Sequence, residues 1–219
     1  MKQGTARLMP RSAVVGGDPA SAAVAITFDD GPHPEQTPLL LEALSRQGAL
    51  ATFFLQGDHA AQWPQWAREI HRAGHQVANH SYSHMRASDR SAAEFVQEVE
   101  KTQGLLQDIL GTELARDYRP PYGDITARTF LTLASRGYRC VFWTKDSDDS
   151  VQRDADALVA HVVGLKIGRG DIVLFHEDYA HSVAAMPKIL RALHAAGLTL
   201  QRVDRLAQRG SVRPQGISS

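Results

Sequence analysis

Short apolar runs alternate along the chain with longer stretches in which apolar positions recur at helical spacing. Residues 23–28, 51–55, 76–79, 118–119, 138–143, 171–175 and 198–203 read as strands. Residues 36–47, 63–73, 92–110, 126–136, 154–165 and 183–196 read as helices. In the third of these, Phe95, Val99, Leu106, Ile109 and Leu110 fall on one face, as a helix packed against a core requires. Strand–helix alternation repeated this often implies parallel strands joined by helical crossovers, hence an α/β fold of about seven strands. A closed or nearly closed barrel and an open doubly wound sheet both satisfy that pattern. The polar clusters favour a single-domain, distorted (β/α) barrel. Asp29-Asp30, His80–His84, Arg119–Tyr122, Asp146–Asp149 and His176 each follow a different strand at its carboxyl end, where a barrel assembles its site. An open sheet would gather a ligand at one switch point instead.

A chain of 219 residues with 43% hydrophobic content suffices for one sizeable core. The expected domain is 21–207, flanked by a poorly ordered N-terminal extension (1–20) and a C-terminal tail (208–219), both rich in Gly, Ser, Pro and Arg. Lys+Arg and Asp+Glu are each 24, which excludes the broad positive field of a nucleic-acid binder. Cys140 is the sole cysteine, so an internal disulfide and a multi-cysteine metal site are both impossible. It lies in the apolar run 140–143 and reads as a core thiol. The short apolar stretch 22–26 runs directly into the Asp29-Asp30 cluster and reads as a strand, with no signal peptide and no membrane span expected. A cytoplasmic protein is the expectation, or a secreted one if a leader has been removed.

Each polar cluster has a bland reading beside a chemical one. Thr27-Phe28-Asp29-Asp30-Gly31-Pro32, taken alone, is an Asx-type turn or a helix cap. His80-Ser81-Tyr82-Ser83-His84 places two imidazoles four apart, the spacing that chelates a divalent ion when the segment turns helically. His71 and His75 share that spacing, but they sit late in a helix and at its Gly74 terminus, and are read as solvated. In Arg119-Pro120-Pro121-Tyr122-Gly123 the double proline stiffens the loop and removes two donors. Asp146-Ser147-Asp148-Asp149 and Leu174-Phe175-His176 are individually weak.

In this order the clusters resemble the polysaccharide deacetylase family, the NodB-homology fold also called carbohydrate esterase family 4. The matching motifs are Thr-Phe-Asp-Asp-Gly-Pro at 27–32, His-Ser-x-x-His at 80–84, Arg-x-Pro-Tyr at 119–122, Asp-x-x-Asp at 146–149 and Leu-x-His at 174–176. The resemblance implies a metal-dependent hydrolase that removes N-acetyl groups from N-acetylglucosamine-containing oligo- or polysaccharides. It implies that Asp30, His80 and His84 ligate Zn2+, or another divalent metal such as Co2+. Asp29 would be the general base oriented by Arg119, and His176 the acid paired with Asp149. Tyr122, Pro121, Leu174 and Asp146 would contact substrate, Leu174 against the acetyl methyl. Two residues depart from the family pattern. Ser150 stands where a pocket-wall Trp usually follows the Asp-x-x-Asp, so that wall is remodelled or supplied from elsewhere, and Glu177 stands where Asp commonly follows the histidine.

Two histidines and a carboxylate also serve non-haem iron oxygenases, but those usually carry the carboxylate two residues after the first histidine on a β-rich scaffold. A non-catalytic carbohydrate binder would typically have lost a ligand or the base. Within hydrolases, a C–N hydrolase of a small amide or formamide and an O-acetyl xylan esterase are the alternatives. Trp63, Trp66, Tyr179 and His181 are candidates for sugar contact near the mouth of the site, though Trp63 and Trp66 read rather as anchors of a helix start into the core. Tyr179 and His181 follow His176 on a rim loop, and His33 and Asp58-His59 are similarly placed.

Overall fold

The computed structural model describes residues 12–206; the expected tail 208–219 lies outside them. Among the described residues, nine strands form one all-parallel sheet curved into a distorted barrel, with helices packed around it. They are β1 (Ala13–Val14), β2 (Ala23–Asp29), β3 (Thr52–Leu55), β4 (Gln76–Asn79), β5 (Asp117–Tyr118), β6 (Arg139–Val141), β7 (Lys145–Asp146), β8 (Ile172–His176) and β9 (Thr199–Leu200). Eight of them run in the order β1-β6-β5-β4-β3-β2-β8-β7, and β9 pairs with β2.

Seven strands were expected; β1 and β7 are the additions. Each has two residues, too few to show any periodicity. β1 falls within the expected loose N-terminal extension, yet Ala13 and Val14 pair with Cys140 and Val141. The edges lie at β1 and β7. The Phe142 N–H donates to Val14 O and the Thr144 N–H to Ile172 O, so 142–144 span from one side of the gap to the other.

β2 shows how sequence becomes architecture, because every one of its residues is buried. Val24, Ile26 and Phe28 join the large outer core against the helices. Ala23 and Ala25 join Phe54, Ala78, Val141 and Ile172 in a smaller inner one. Alternation between two buried faces produces the continuous apolar run of a parallel strand. It also turns Thr27 and Asp29 inward, at the carboxyl end.

The helices are α1 (Gln36–Arg46), α2 (Gly57–Gln62), α3 (Pro64–Arg72), α4 (Ala92–Leu110), α5 (Ala127–Ser135), α6 (Ala155–Gly164), α7 (Ala180–Ala195) and α8 (Val203–Leu206). α4 begins in a capping box, with Ser91 Oγ accepting from the Glu94 N–H and the Glu94 carboxylate accepting from the Ser91 N–H. It stops at Gly111, whose φ of 66° suits a residue without Cβ. Between these signals Phe95, Val99 and Leu106 are fully buried, each contributing roughly 1.5–3 kcal/mol relative to exposure. The terminal α8 closes the amino-end opening: Val203 N–H donates to Thr52 Oγ1 and Asp204 N–H to Gln76 Oε1.

Candidate metal centre and active site

The chemistry-bearing side chains stand at carboxyl ends of strands. Asp29 ends β2 and Asp30 follows it; His80 follows β4, Arg119 follows β5, Asp149 lies on the loop after β7, and His176 ends β8. The backbone there is contorted. Six non-glycine residues of the described chain have positive φ, and Asp30, Ser81, His84, Tyr122 and Asp148 are five of them. Such conformations cost of order 1–3 kcal/mol each and persist where surrounding contacts impose them.

Asp30 Oδ1 lies 3.3 Å from His80 Nε2 and 3.0 Å from His84 Nε2. The three side chains could hold one metal ion, with a ligand atom from each within 4.8 Å of the others. Tetrahedral ligands on zinc, about 2.0–2.1 Å from it, stand roughly 3.3 Å apart, which is the spacing found. The hydrogen-bond accounting agrees. His80 Nδ1 is 2.8 Å from Arg119 O, and a carbonyl only accepts, so Nδ1 carries a proton and Nε2 is the nitrogen turned towards Asp30. Asp30 Oδ1 is buried and lacks a hydrogen-bond partner. Electrostatics point the same way. Burial pulls the His80 pKa down, but the negative charges of Asp29 and Asp30 more than reverse it. Burial alone would raise the Asp30 carboxyl, yet its contacts with both imidazoles hold it well below the ordinary range. The cluster is built for a positive charge at its centre.

Asp29 lies beside this group and faces a different partner. Its Oδ1 accepts from Arg119 Nη1 at 2.7 Å, while its Oδ2 stays 3.7 Å from His80 Nε2. The Arg119 guanidinium is wholly buried. Nη1 also donates to Thr27 Oγ1, Nε to Val141 O, and the group lies 4.1 Å over the Phe54 ring. A buried cation satisfied on so many sides is a rigid support.

His176 is held in a parallel way. Its Nδ1 is 2.7 Å from Asp149 Oδ1, and its own N–H donates to Asp149 Oδ2. Ser182 Oγ donates to that second oxygen, and His181 Nε2 donates to Asp149 O. Burial lowers the His176 pKa, but the bond to Asp149 and the charges of Asp149, Asp29 and Asp30 together lift it to about 9. The imidazole is therefore protonated at neutral pH.

The polysaccharide deacetylase family model matches residues 16–141, a span containing the Asp29-Asp30, His80–His84 and Arg119–Tyr122 clusters. The chain belongs to the polysaccharide deacetylase family. It is 31% identical to a chitooligosaccharide deacetylase of Azorhizobium caulinodans, over 82% of this chain and 92% of that one. It is 34% identical to a peptidoglycan-N-acetylglucosamine deacetylase of Bacillus cereus, over 84% and 87%. Its fold superimposes on the crystal structure of the Bc1960 peptidoglycan N-acetylglucosamine deacetylase with a TM-score of 0.87 and 29% identity, covering 95% of this chain and 99% of that one.

The remaining family-motif residues occupy distinct places. Leu174 pairs with Thr27 and shares its strand face with Ile172 and His176, so it turns inward below the histidine. Asp146 pairs with Leu174, accepts from the Asp148 N–H at 2.9 Å, and its charge reaches Arg119. Pro121 is buried. Tyr122 is 57% exposed, its ring edge-on to His84 at 4.6 Å with the Arg86 guanidinium 4.0 Å over its face. The two turn bonds of this loop, Gly123 N–H to Pro120 O and Asp124 N–H to Pro121 O, leave the Tyr122 N–H out.

Several residues acquire significance only from the fold of this deacetylase-family chain. His59 Nδ1 donates to Asp30 O at 2.7 Å, which no motif announces. Glu177 is fully buried, and burial pushes its carboxyl up to about 8. Tyr179 stands beside His176: its ring centre is 5.5 Å from that of His176, and it stacks on His181 at 5.4 Å. Two readings are corrected. His75 is not solvated: it is buried, its Nδ1 accepts from the Ala51 N–H, and burial with the charge of Arg202 lowers its pKa to about 4. Trp63 and Trp66 belong to no apolar core cluster among the described residues. The neighbours of the Trp63 ring are His33 at 6.2 Å and His59 at 5.6 Å.

Proposed function

We propose that this chain is a metal-dependent N-deacetylase that hydrolyses the acetamide of N-acetylglucosamine units in a glycan, releasing acetate and a free amine. One arrangement carries the reading: Asp30, His80 and His84 face a common point, while Asp29 beside them stays 3.7 Å from His80 Nε2 and is gripped by Arg119. Two imidazoles and one carboxylate are a donor set that suits Zn2+ and leaves coordination open, with Co2+ a competent substitute. Such an ion supplies a Lewis acid that polarises the acetyl carbonyl and lowers the pKa of water towards neutrality.

The chain's own groups do the rest. Asp29 takes the proton of the water that attacks the acetyl carbon. The Tyr122 N–H donates to the developing oxyanion, a contribution of about 3–4 kcal/mol in comparable sites. His176 delivers its proton to the departing nitrogen as the C–N bond breaks. Arg119 fixes Asp29, and Asp149 keeps His176 charged. Leu174 lines the floor for the acetyl methyl, with Pro121 and Asp146 at the sides.

Names of the relatives support a glycan: a chitooligosaccharide for one, peptidoglycan N-acetylglucosamine for others. The half-buried rings of Trp63 and Tyr179 support it independently, because an aromatic face suits a sugar ring and is superfluous for a small amide. Tyr179 takes the place of the missing wall Trp. Among the described residues no helix is long and apolar enough to cross a membrane. The test is an acetate-release screen over chitin oligomers, peptidoglycan, poly-N-acetylglucosamine, acetylated xylan and small amides, with and without chelator. Chelator-sensitive release from the N-acetylated glycans is expected, and release from small amides or xylan alone would refute the assignment.

A further inference from the structure

Beneath the turn that carries Asp30 lies a carboxyl group the chemistry does not use. Glu177 is fully buried between β8 and the turn. Its N–H donates to Asp29 O at 2.9 Å, on one side of Asp30. Its side chain reaches the other side. Thr37 Oγ1 donates to Glu177 Oε1, and the same hydroxyl accepts from the His33 N–H at 2.8 Å. A Cβ built on Gly31 would overlap Glu177 Oε2 and lie 3.1 Å from Oε1. Gly31 does not have the positive φ that would itself demand glycine. The carboxyl cannot swing aside into solvent, because it is enclosed and tied to Thr37. The glycine between the metal-ligand aspartate and Pro32 is thus required in this chain by the glutamate packed against it.

We propose that Glu177 is a positioning residue for the metal centre, wedged under Gly31 and tied through Thr37 to His33, so that Asp30 faces His80 and His84. The proposal rests on the reading of those three residues as a metal site. Asp30 sits at φ 68°, and both flanking peptides are held, Asp29 O by the Glu177 N–H and Asp30 O by His59 Nδ1, with Gly31 O held beyond them by the Gln56 N–H. Removing the wedge frees the Gly31 side of this arrangement while leaving every ligand in place.

The coupling is testable by Co2+ binding to full-length, metal-free protein, followed by visible absorption, with thermal unfolding of the metal-free form measured alongside. Glu177→Ala should weaken Co2+ at least ten-fold, while the metal-free midpoint holds or rises. That substitution deletes a buried carboxyl with an unpartnered oxygen, and burying such a group costs the fold rather than helping it. A merely structural residue would lower both readouts together. Glu177→Gln, which preserves volume and the acceptor for Thr37, should bind within about three-fold of wild type. Gly31→Ala should lose Co2+ binding, or fail to fold, in the wild-type background, and should recover at least to the level of Glu177→Ala in that background because the new methyl enters the vacated space. Wild-type affinity in Glu177→Ala, or a Gly31→Ala defect that persists in the double variant, would overturn the proposal. Failure of the wild-type protein to bind an ion would instead overturn the metal-site reading beneath it.

Discussion

Arg119 Nη1 and Asp29 Oδ1 meet at 2.7 Å with both side chains shut off from solvent. Desolvating two charges is costly, and the pair persists because the guanidinium also has Thr27, Val141 and the Phe54 ring as partners. The arrangement gives two adjacent aspartates different partners. Asp29, at the last inward-facing position of β2, is committed to Arg119. Asp30, thrown outward by its positive φ, is committed to the imidazoles.

That separation predicts the behaviour of Asp29→Asn. Turnover should fall about 10²–10⁴-fold, the range lost when a general base is removed, while one bound ion per chain is retained. Steady-state acetate release and metal analysis of the same preparation check it. Loss of the ion in step with activity would mean that the two aspartate roles are misassigned.

Arg119→Ala should be more damaging to the fold than to any single chemical step. It leaves Asp29 buried without a partner, and breaking such a pair costs about 3–5 kcal/mol. Chemical denaturation measures this. A variant as stable as wild type would show that the pair is not the support described above.

The pH profile follows from His176 and Asp149. The folded imidazole titrates at about 9, above its ordinary value of 6.5, so the acid form survives through neutrality and the alkaline limb of activity reports its loss. Asp149→Asn removes the carboxylate whose hydrogen bond does most to raise the imidazole and should move that limb down by about one pH unit or more. The stability linkage has a matching sign. A raised histidine pKa stabilises the fold fully below about 6.5, and the contribution fades as pH rises through about 9. An alkaline limb unmoved by Asp149→Asn would assign the proton to another group.

Trp63 supplies a prediction about substrate length. With His33 and His59 beside it and His59 bonded to Asp30 O, its ring lies next to the site and outside the apolar core. Trp63→Ala should raise KM for longer oligomers roughly 10-fold, since stacking on an aromatic ring is worth about 1 kcal/mol or more, and leave kcat within about two-fold. An equal effect on monosaccharide and oligomer would make Trp63 a structural residue.

Most of this site was readable because five polar clusters interrupt an otherwise apolar strand pattern, each at a carboxyl end. Asp29, Asp30, His80, Arg119 and His176 announce themselves that way. The two added strands are legible only through pairing: Ala13–Val14 has no pattern of its own until β6 lies beside it. The burial of His75 is illegible because a residue just past a helix terminus can turn either to solvent or to the core. α3 ends at Arg72, Gly74 takes a φ of 86°, and the His75 ring turns in against Phe53. Glu177, His59 and Tyr179 matter through contacts that no spacing shows: Glu177 meets Thr37 from the other end of the chain, His59 the main-chain carbonyl of Asp30, and Tyr179 the rings of His176 and His181.

Acetate release from a chitin oligomer, measured against Zn2+ bound per chain, bears most directly on the metal centre. Activity should climb linearly to one ion per chain and then saturate, and Asp30→Asn and His84→Ala should hold no ion and release no acetate. Undiminished release from ion-free protein, or stoichiometric binding in those two variants, would contradict it.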